Sequence, residues 1–253
     1  MTKALNVLVT NDDGHLADGL KVLAAAAQGL GKVTVVAPDR QMSATSHSIT
    51  LHHPLRARER PDGGWMVDGT PTDCVMIAVS ELLEEPPDLV LSGINHGPNM
   101  GEDVLYSGTV SAAMEGTLLG IPAVAFSYTG EVVDHMATWE EPVRRLLLSM
   151  FNEGGFSRDT LLSVNLPAVP LDEVRGVRVT TLGRRRYSDS ITRDRDPSGR
   201  EYFWIGGGGA MWSGTADSDF RAVEEGFVSV TPLHLDLTNY RLLKQIRGWD
   251  LKV

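Results

Sequence analysis

One cysteine, Cys74, is all the sulfhydryl chemistry that 253 residues offer. No intrachain disulfide and no cysteine-based zinc cluster can form. Positive charge is also short, with 23 Lys and Arg against 33 Asp and Glu, a formal charge of −10. A general nucleic-acid binder carries a basic face, so large nucleic acids are not expected partners. The whole-protein field will not attract an anion either. Any phosphate site must build its positive potential locally, from a metal, a helix N-terminus or an arginine. No apolar run approaches the roughly 18 residues of a membrane span, and no basic segment followed by an apolar core opens the chain. The expectation is a soluble cytoplasmic protein with no membrane partner. A shortage of apolar residues is not among the deficits. With 42% hydrophobic and 22% charged residues, the chain can bury one large α/β core, and global disorder is excluded.

Hydrophobic periodicity predicts a β-α-β start. Residues 6–10 form a short buried strand, residues 16–30 carry apolar side chains at helical spacing, and residues 33–37 form a second strand stopped by Pro38. Weak alternation over 48–51 and 55–58 suggests edge strands, and 65–67 returns from the Pro61-Asp62-Gly63-Gly64 turn. Helix, strand, helix, strand, helix and strand follow at 72–83, 88–92, 108–119, 123–127, 140–151 and 161–165. This alternation predicts an α/β, Rossmann-like, mostly parallel doubly wound sheet. The pattern then changes. Residues 177–181, 202–205 and 228–231 read as strands without crossover helices, and 239–247 as a closing helix. The expectation is one domain, residues 1–253, with a strand-rich region at about 177–232 that contains a β-hairpin arm of the kind subunits exchange.

The most informative segment is Val7-Leu8-Val9-Thr10-Asn11-Asp12-Asp13-Gly14. A buried strand runs into adjacent carboxylates that repel each other near neutral pH, and a glycine then lets the backbone turn. A hard divalent cation would make the pair favourable, whereas an Asx turn that caps the next helix needs no ligand. Further polar segments lie after other strand ends, where open parallel sheets bind ligands. They are Pro38-Asp39-Arg40 with Ser43, then Gly93-Ile94-Asn95-His96-Gly97, then Tyr106-Ser107-Gly108-Thr109. Together they supply oxygen donors only, which favours Mg²⁺ or Mn²⁺ over Zn²⁺. A helix opening at Ser107-Gly108-Thr109 would direct N–H groups at a phosphate. Each segment also has a plain reading. Ser43 can be a loop serine, Asn95 a turn brace, and Ser107 or Thr109 an N-cap.

Other features are discounted. His15, His47 and His135 read as structural, while His96 sits inside the 93–107 loop and stays a candidate. No His-Glu-x-x-His spacing occurs. Gly206–Gly209 lacks the Lys-Ser/Thr of a P-loop. Arg184-Arg185-Arg186 reads as a solvated or intersubunit patch, and Asp39 and Arg40 as a pair that shapes their loop.

These residues resemble the SurE family, the stationary-phase survival proteins. The resemblance rests on Thr-Asn-Asp-Asp-Gly at 10–14, Val-Val-Ala-Pro-Asp-Arg at 35–40, Gly-Thr-Pro-Thr-Asp-Cys-Val at 69–75, Ser-Gly-Ile-Asn-His-Gly-Pro-Asn at 92–99 and Tyr-Ser-Gly-Thr-Val at 106–110. It continues through Gly-Ile-Pro-Ala at 120–123, Leu-Gly-Arg-Arg at 182–185 and Val-Ser-Val-Thr-Pro-Leu at 228–233. It implies a Rossmann-like fold with a C-terminal arm, a homodimer or homotetramer, one Mg²⁺ or Mn²⁺ per subunit, and 5′-nucleotidase activity on nucleoside monophosphates. The implied metal ligands are Asp12, Asp13, Ser43 and Asn95. The expected mechanism is in-line attack by water, with Asp12 or Asp13 taking the proton. Asn11, Asn99, Ser107, Gly108 and Thr109 are the expected substrate and phosphate contacts. Two departures stand out. Ala44 occupies a position where the family usually has glycine, which matters if that backbone needs a positive φ. His15-Leu16 differs from the usual pair after the acidic turn, which bears on pocket shape. The competing classes are a nucleotide binder without activity and a phospho-signalling receiver. The receiver would need an Asp ending the third strand and a Lys ending the fifth, and neither is present.

Overall fold

The computed structural model describes residues 4–130, 133–153, 156–187, 191–205 and 210–252. In chain order the elements are β1 (Leu5–Thr10), α1 (Asp18–Ala27), β2 (Gly31–Pro38), β3 (Ala57–Glu59), β4 (Trp65–Val67), α2 (Pro71–Ile77), β5 (Leu89–His96), α3 (Gly108–Leu118), β6 (Ala123–Tyr128), α4 (Glu140–Glu153) and β7 (Leu161–Leu166). Then come β8 (Val177–Val179), β9 (Arg184–Tyr187), β10 (Ile191–Arg195), β11 (Glu201–Ile205), β12 (Ala210–Ser213), α5 (Asp219–Glu224), β13 (Val228–Pro232) and α6 (Tyr240–Ile246).

Among the described residues, nine strands form one sheet in the order β3-β4-β2-β1-β5-β6-β7-β13-β8. β1, β2, β5, β6 and β7 run parallel, and β13 is antiparallel to β7. The central strands are apolar on both faces because helices cover both. Val7, Val9, Leu91 and Phe126 pack with Leu20, Leu23, Val143 and Leu147 from α1 and α4. On the other face Leu8, Val90 and Ala125 pack with Cys74, Val75, Val110 and Ala113 from α2 and α3. The sheet is therefore doubly wound, as the alternation predicts.

Strand order fixes where a ligand can sit. From β1 the chain crosses to β2 on one side and later returns to β5 on the other. This reversal opens a crevice outside the carboxyl ends of β1 and β5. Asp12 and Asp13 follow β1 after Asn11, and Asn95 is the last residue but one of β5.

Several expectations need correction. Residues 48–51 do not form a strand. Thr50 instead gives its backbone N–H and its hydroxyl to the two carboxylate oxygens of Asp73, at 3.0 and 2.6 Å, so it is tied to the start of α2 and not to a ladder. The adjoining edge strand shifts to Ala57–Glu59, beyond Pro54. The helix expected over 72–83 ends at Ile77 and widens into a π-helical turn, Ala78–Leu82. Residues 93–96 belong to β5 and not to a loop. The ladder with β6 shifts register between Ser92 and Asn95, and Gly101–Leu105 forms a 3₁₀ turn. α5 was not expected, since six residues are too few to display a helical period. The arm is present, with β9 pairing β12 and β10 pairing β11, both antiparallel. Gly206–Gly209 lie outside the described residues. No helix among those described is long and apolar enough to cross a membrane.

Candidate active site

Asp12 lies two residues past the buried end of β1. It is 4% exposed. Its Oδ1 accepts a hydrogen bond from Thr109 Oγ1 in the first turn of α3, and the Thr109 N–H points at the same carboxylate. Gly108 makes this approach possible. A Cβ there would come within 2.9 Å of both Cβ and Oδ2 of Asp12, and 3.1 Å from Thr45 Oγ1. The anion that α3 receives is thus a protein carboxylate, which leaves the Gly108 N–H as a first-turn donor without an intrahelical acceptor.

Burial raises the Asp12 carboxyl to about 6, and the neighbouring Asp13 charge adds to this against the pull of the Thr109 hydroxyl. Burial also raises Asp13, whose Oδ2 accepts the His96 N–H at 3.0 Å. Two carboxylates held together and away from water are costly when ionised, and a divalent cation would relieve that cost.

Backbone N–H bonds tie the segments that carry the other predicted donors to the acidic turn. The Met42 N–H donates to the Asp12 carbonyl at 2.7 Å, so Ser43 lies one residue from the acidic turn. Ser43 Oγ accepts from Gln41 Nε2 at 2.9 Å and is exposed. Asn95 precedes His96, which holds Asp13, and its amide donates to the Gly97 carbonyl at 2.9 Å. Among the described residues no three His, Cys, Asp or Glu side chains converge. An ion held by Asp12, Asp13, Ser43 and Asn95 would meet two carboxylates, a hydroxyl and an amide oxygen. So sparse a set of hard oxygens leaves positions for water, which suits Mg²⁺ or Mn²⁺. Asn11 adds a buried Oδ1 with no partner, while its amide N–H bonds the Gly14 carbonyl at 3.0 Å.

The expected phosphate contacts divide. Ser107 takes its plain role as N-cap, its Oγ accepting the Val110 N–H at 3.1 Å. The side chain of Asn99 is buried and gives an N–H to Ser127 Oγ at 2.8 Å. Its backbone N–H and carbonyl are clasped by the Asn165 amide, at 2.9 and 3.0 Å. Asn99 is thus tied to the carboxyl-terminal parts of β6 and β7. Ala44 does adopt a positive φ, 56°, and Ser46 follows at 52°. A cavity of about 260 Å³ opens beside Asp13 and is lined by Leu16, Gln41 and His96 among others. Larger cavities of about 450 and 480 Å³ open around Lys32 and Trp65, away from the carboxyl ends of β1 and β5.

Sequence reasoning missed Asn165 and Asp219. Asp219 is fully buried and accepts the N–H groups of Gly101, Gly183 and Phe220 at 2.7, 2.9 and 2.8 Å. Burial raises its carboxyl while these bonds hold it down. Arg185 is no solvated patch. Its guanidinium pairs with Asp103 and its N–H donates to Glu102 at 2.6 Å. The base of the arm is thereby rooted in the turn that precedes α3.

Residues 7–189 match the model of the survival protein SurE family. The chain is 60% identical over 248 residues to the 5′-nucleotidase SurE of Gemmatimonas aurantiaca, covering 97% of this chain and 98% of that one. It is 49% identical over 245 residues to the 5′-nucleotidase SurE of Methylococcus capsulatus, with 97% of each covered. The crystal structure of the SurE protein from Aquifex aeolicus superposes with a TM-score of 0.83 at 42% identity, covering 96% of this chain and 98% of that one. The chain belongs to the SurE family.

Proposed function

We propose that this chain is a phosphomonoesterase that hydrolyses nucleoside 5′-monophosphates to nucleoside and phosphate. The observation that carries the reading is the Asp12–Thr109 junction, where a buried carboxylate at the switch point of the sheet meets the N-terminus of α3. Relatives of this length and identity bear the name 5′-nucleotidase, and a dication held by the acidic pair would supply the positive potential that a chain of formal charge −10 lacks.

Asp12, Asp13, Ser43 and Asn95 are the residues that would hold one Mg²⁺ or Mn²⁺. Bound there, the ion supplies charge neutralisation at a phosphoryl oxygen and lowers the pKa of a water. The protein supplies the remainder. The Gly108 N–H is the first-turn donor left to face the phosphate, since Asp12 takes both the hydroxyl and the N–H of Thr109. Asn99, fixed by Asn165 and Ser127, borders the same space, and Asn11 braces the turn behind the carboxylates. Asp13, less buried than Asp12, is the better placed of the two to accept the proton of an attacking water. Most of the catalytic effect is positioning and electrostatics, so no covalent intermediate is required. The chain self-associates through the arm as a dimer or tetramer. Exposed Ile191, Phe203, Trp204 and Ile205 on β10 and β11 support this, being large apolar residues on an otherwise uncovered hairpin.

Phosphate release from a panel of nucleoside monophosphates, with Mg²⁺, Mn²⁺ or chelator, tests the reading. Metal-dependent release that Asp12→Asn and Asp13→Asn each reduce by orders of magnitude is the expected result. Near-wild-type release by either variant in metal-replete buffer would remove that carboxylate from the site.

A further inference from the structure

The segment Gln41–Ser48 carries Ser43 and contains two non-glycine residues in the left-handed region, Ala44 at φ 56° and Ser46 at φ 52°. Each such residue shifts the equilibrium against the conformation by roughly five- to thirtyfold. A loop like this persists only where its surroundings over-determine it. Ser46 is held directly, its N–H on the Tyr106 carbonyl at 3.1 Å and its hydroxyl on the Leu105 carbonyl at 2.6 Å. Thr45 closes the loop internally onto the Met42 carbonyl at 2.9 Å. The far end is held by a contact that no feature of the catalytic chemistry requires. His47 Nε2 lies 2.8 Å from Glu115 Oε2, two turns into α3, and both side chains are largely shielded from solvent.

We propose that His47 and Glu115 are positioning residues that pin the Ser43 loop to α3 and so offset the strained backbone at Ala44. The inference rests on reading Ser43 as a metal ligand. α3 is the frame of reference for the whole site, because its first turn grips Asp12 and Thr45 packs against its first residue. Fixing the end of the loop to a point further along the same helix sets the distance from Ser43 to the acidic pair. Glycine at position 44 would adopt the same backbone without strain. A chain with alanine there depends more heavily on the pin.

Binding of Mn²⁺ alone, followed by electron paramagnetic resonance without nucleotide, separates the possibilities. S43A should weaken binding at least tenfold. H47A and E115A should each weaken it by about tenfold, the size expected for a charge-assisted bond. E115Q keeps an acceptor for His47 and should stay within about threefold of wild type. Adding A44G to H47A should recover about fivefold, because glycine removes the left-handed cost. Should H47A fail to fold, E115A with and without A44G reads the same comparison. If S43A weakens binding but H47A and E115A bind as wild type, or if A44G restores nothing, the pin is wrong. If S43A leaves Mn²⁺ affinity unchanged, the reading of Ser43 as a ligand fails, and the inference with it.

Discussion

Thr109 donates its hydroxyl proton to Asp12 across 97 residues of sequence, joining the end of β1 to the first turn of α3. The bond spends the strongest anion-binding position of a helix on one of the protein's own carboxylates. The pair behaves as one device. Thr109→Val keeps the shape and removes the donor, so Asp12 loses an anchor inside a buried site. Turnover should fall by about 10- to 100-fold, in the range seen when a partner of a metal ligand is lost. Steady-state kinetics at saturating Mn²⁺ checks it.

Gly108 gives a steric test of the same junction. A methyl group there meets Asp12 Cβ and Oδ2 at 2.9 Å, so one of the two residues must shift. Ala is favoured over Gly inside helices by about 1 kcal/mol, so the fold should survive Gly108→Ala. Activity and Mn²⁺ affinity should both drop at least tenfold while far-ultraviolet circular dichroism is unchanged. A fully active Gly108→Ala enzyme would show that Asp12 does not sit against the helix end.

The raised Asp12 pKa has a definite sign. Its folded value of about 6 lies above the ordinary 3.8, so the folded metal-free protein holds this proton more tightly than the unfolded chain. Stability from this group is fully present below pH 3.8 and is lost as the pH rises through 6. At pH 7 the loss is on the order of 3 kcal/mol. In chelator, Asp12→Asn should therefore be more stable than wild type at pH 7.5, with the gap closing toward pH 4. Mn²⁺ should raise the wild-type melting temperature at pH 7.5 more than at pH 5, because protons compete for the same oxygens. Thermal melts of both proteins across this range decide the matter.

Asp219 links the arm to the turn before α3. Its two oxygens receive three backbone N–H groups, a load that the single oxygen of an amide cannot carry. Asp219→Asn should cost about 2–4 kcal/mol of stability, since bonds to a buried charge are lost. The turn carrying Gly101 should loosen, and KM for a nucleotide should rise more than kcat falls. Chemical denaturation and kinetics together test this.

Legibility from sequence followed the range of the interactions. The strands flanking the switch point were readable because burial on both faces leaves unbroken apolar runs such as Val7-Leu8-Val9 and Leu89-Val90-Leu91. The acidic pair and its glycine were readable because their meaning is local. Ser43 and Asn95 stand out in the sequence as polar residues after strand ends, and it is the resemblance spanning the chain that implies a ligand role for them. Asn165, Asp219, Arg185 and the His47–Glu115 pair were not readable in these roles. Their partners lie 36 to 118 residues away, and an isolated Asp or His has no spacing that announces such a partner. The positive φ at Ala44 was a conditional expectation, and only coordinates could meet the condition.

The most direct measurement is phosphate release from a nucleoside 5′-monophosphate by chelator-treated protein, before and after Mn²⁺ is restored. Release that is absent in chelator, returns with Mn²⁺, and stays absent in Asp12→Asn under both conditions is the predicted result. Wild-type release that continues undiminished in chelator would contradict an oxygen-donor metal site at the end of β1.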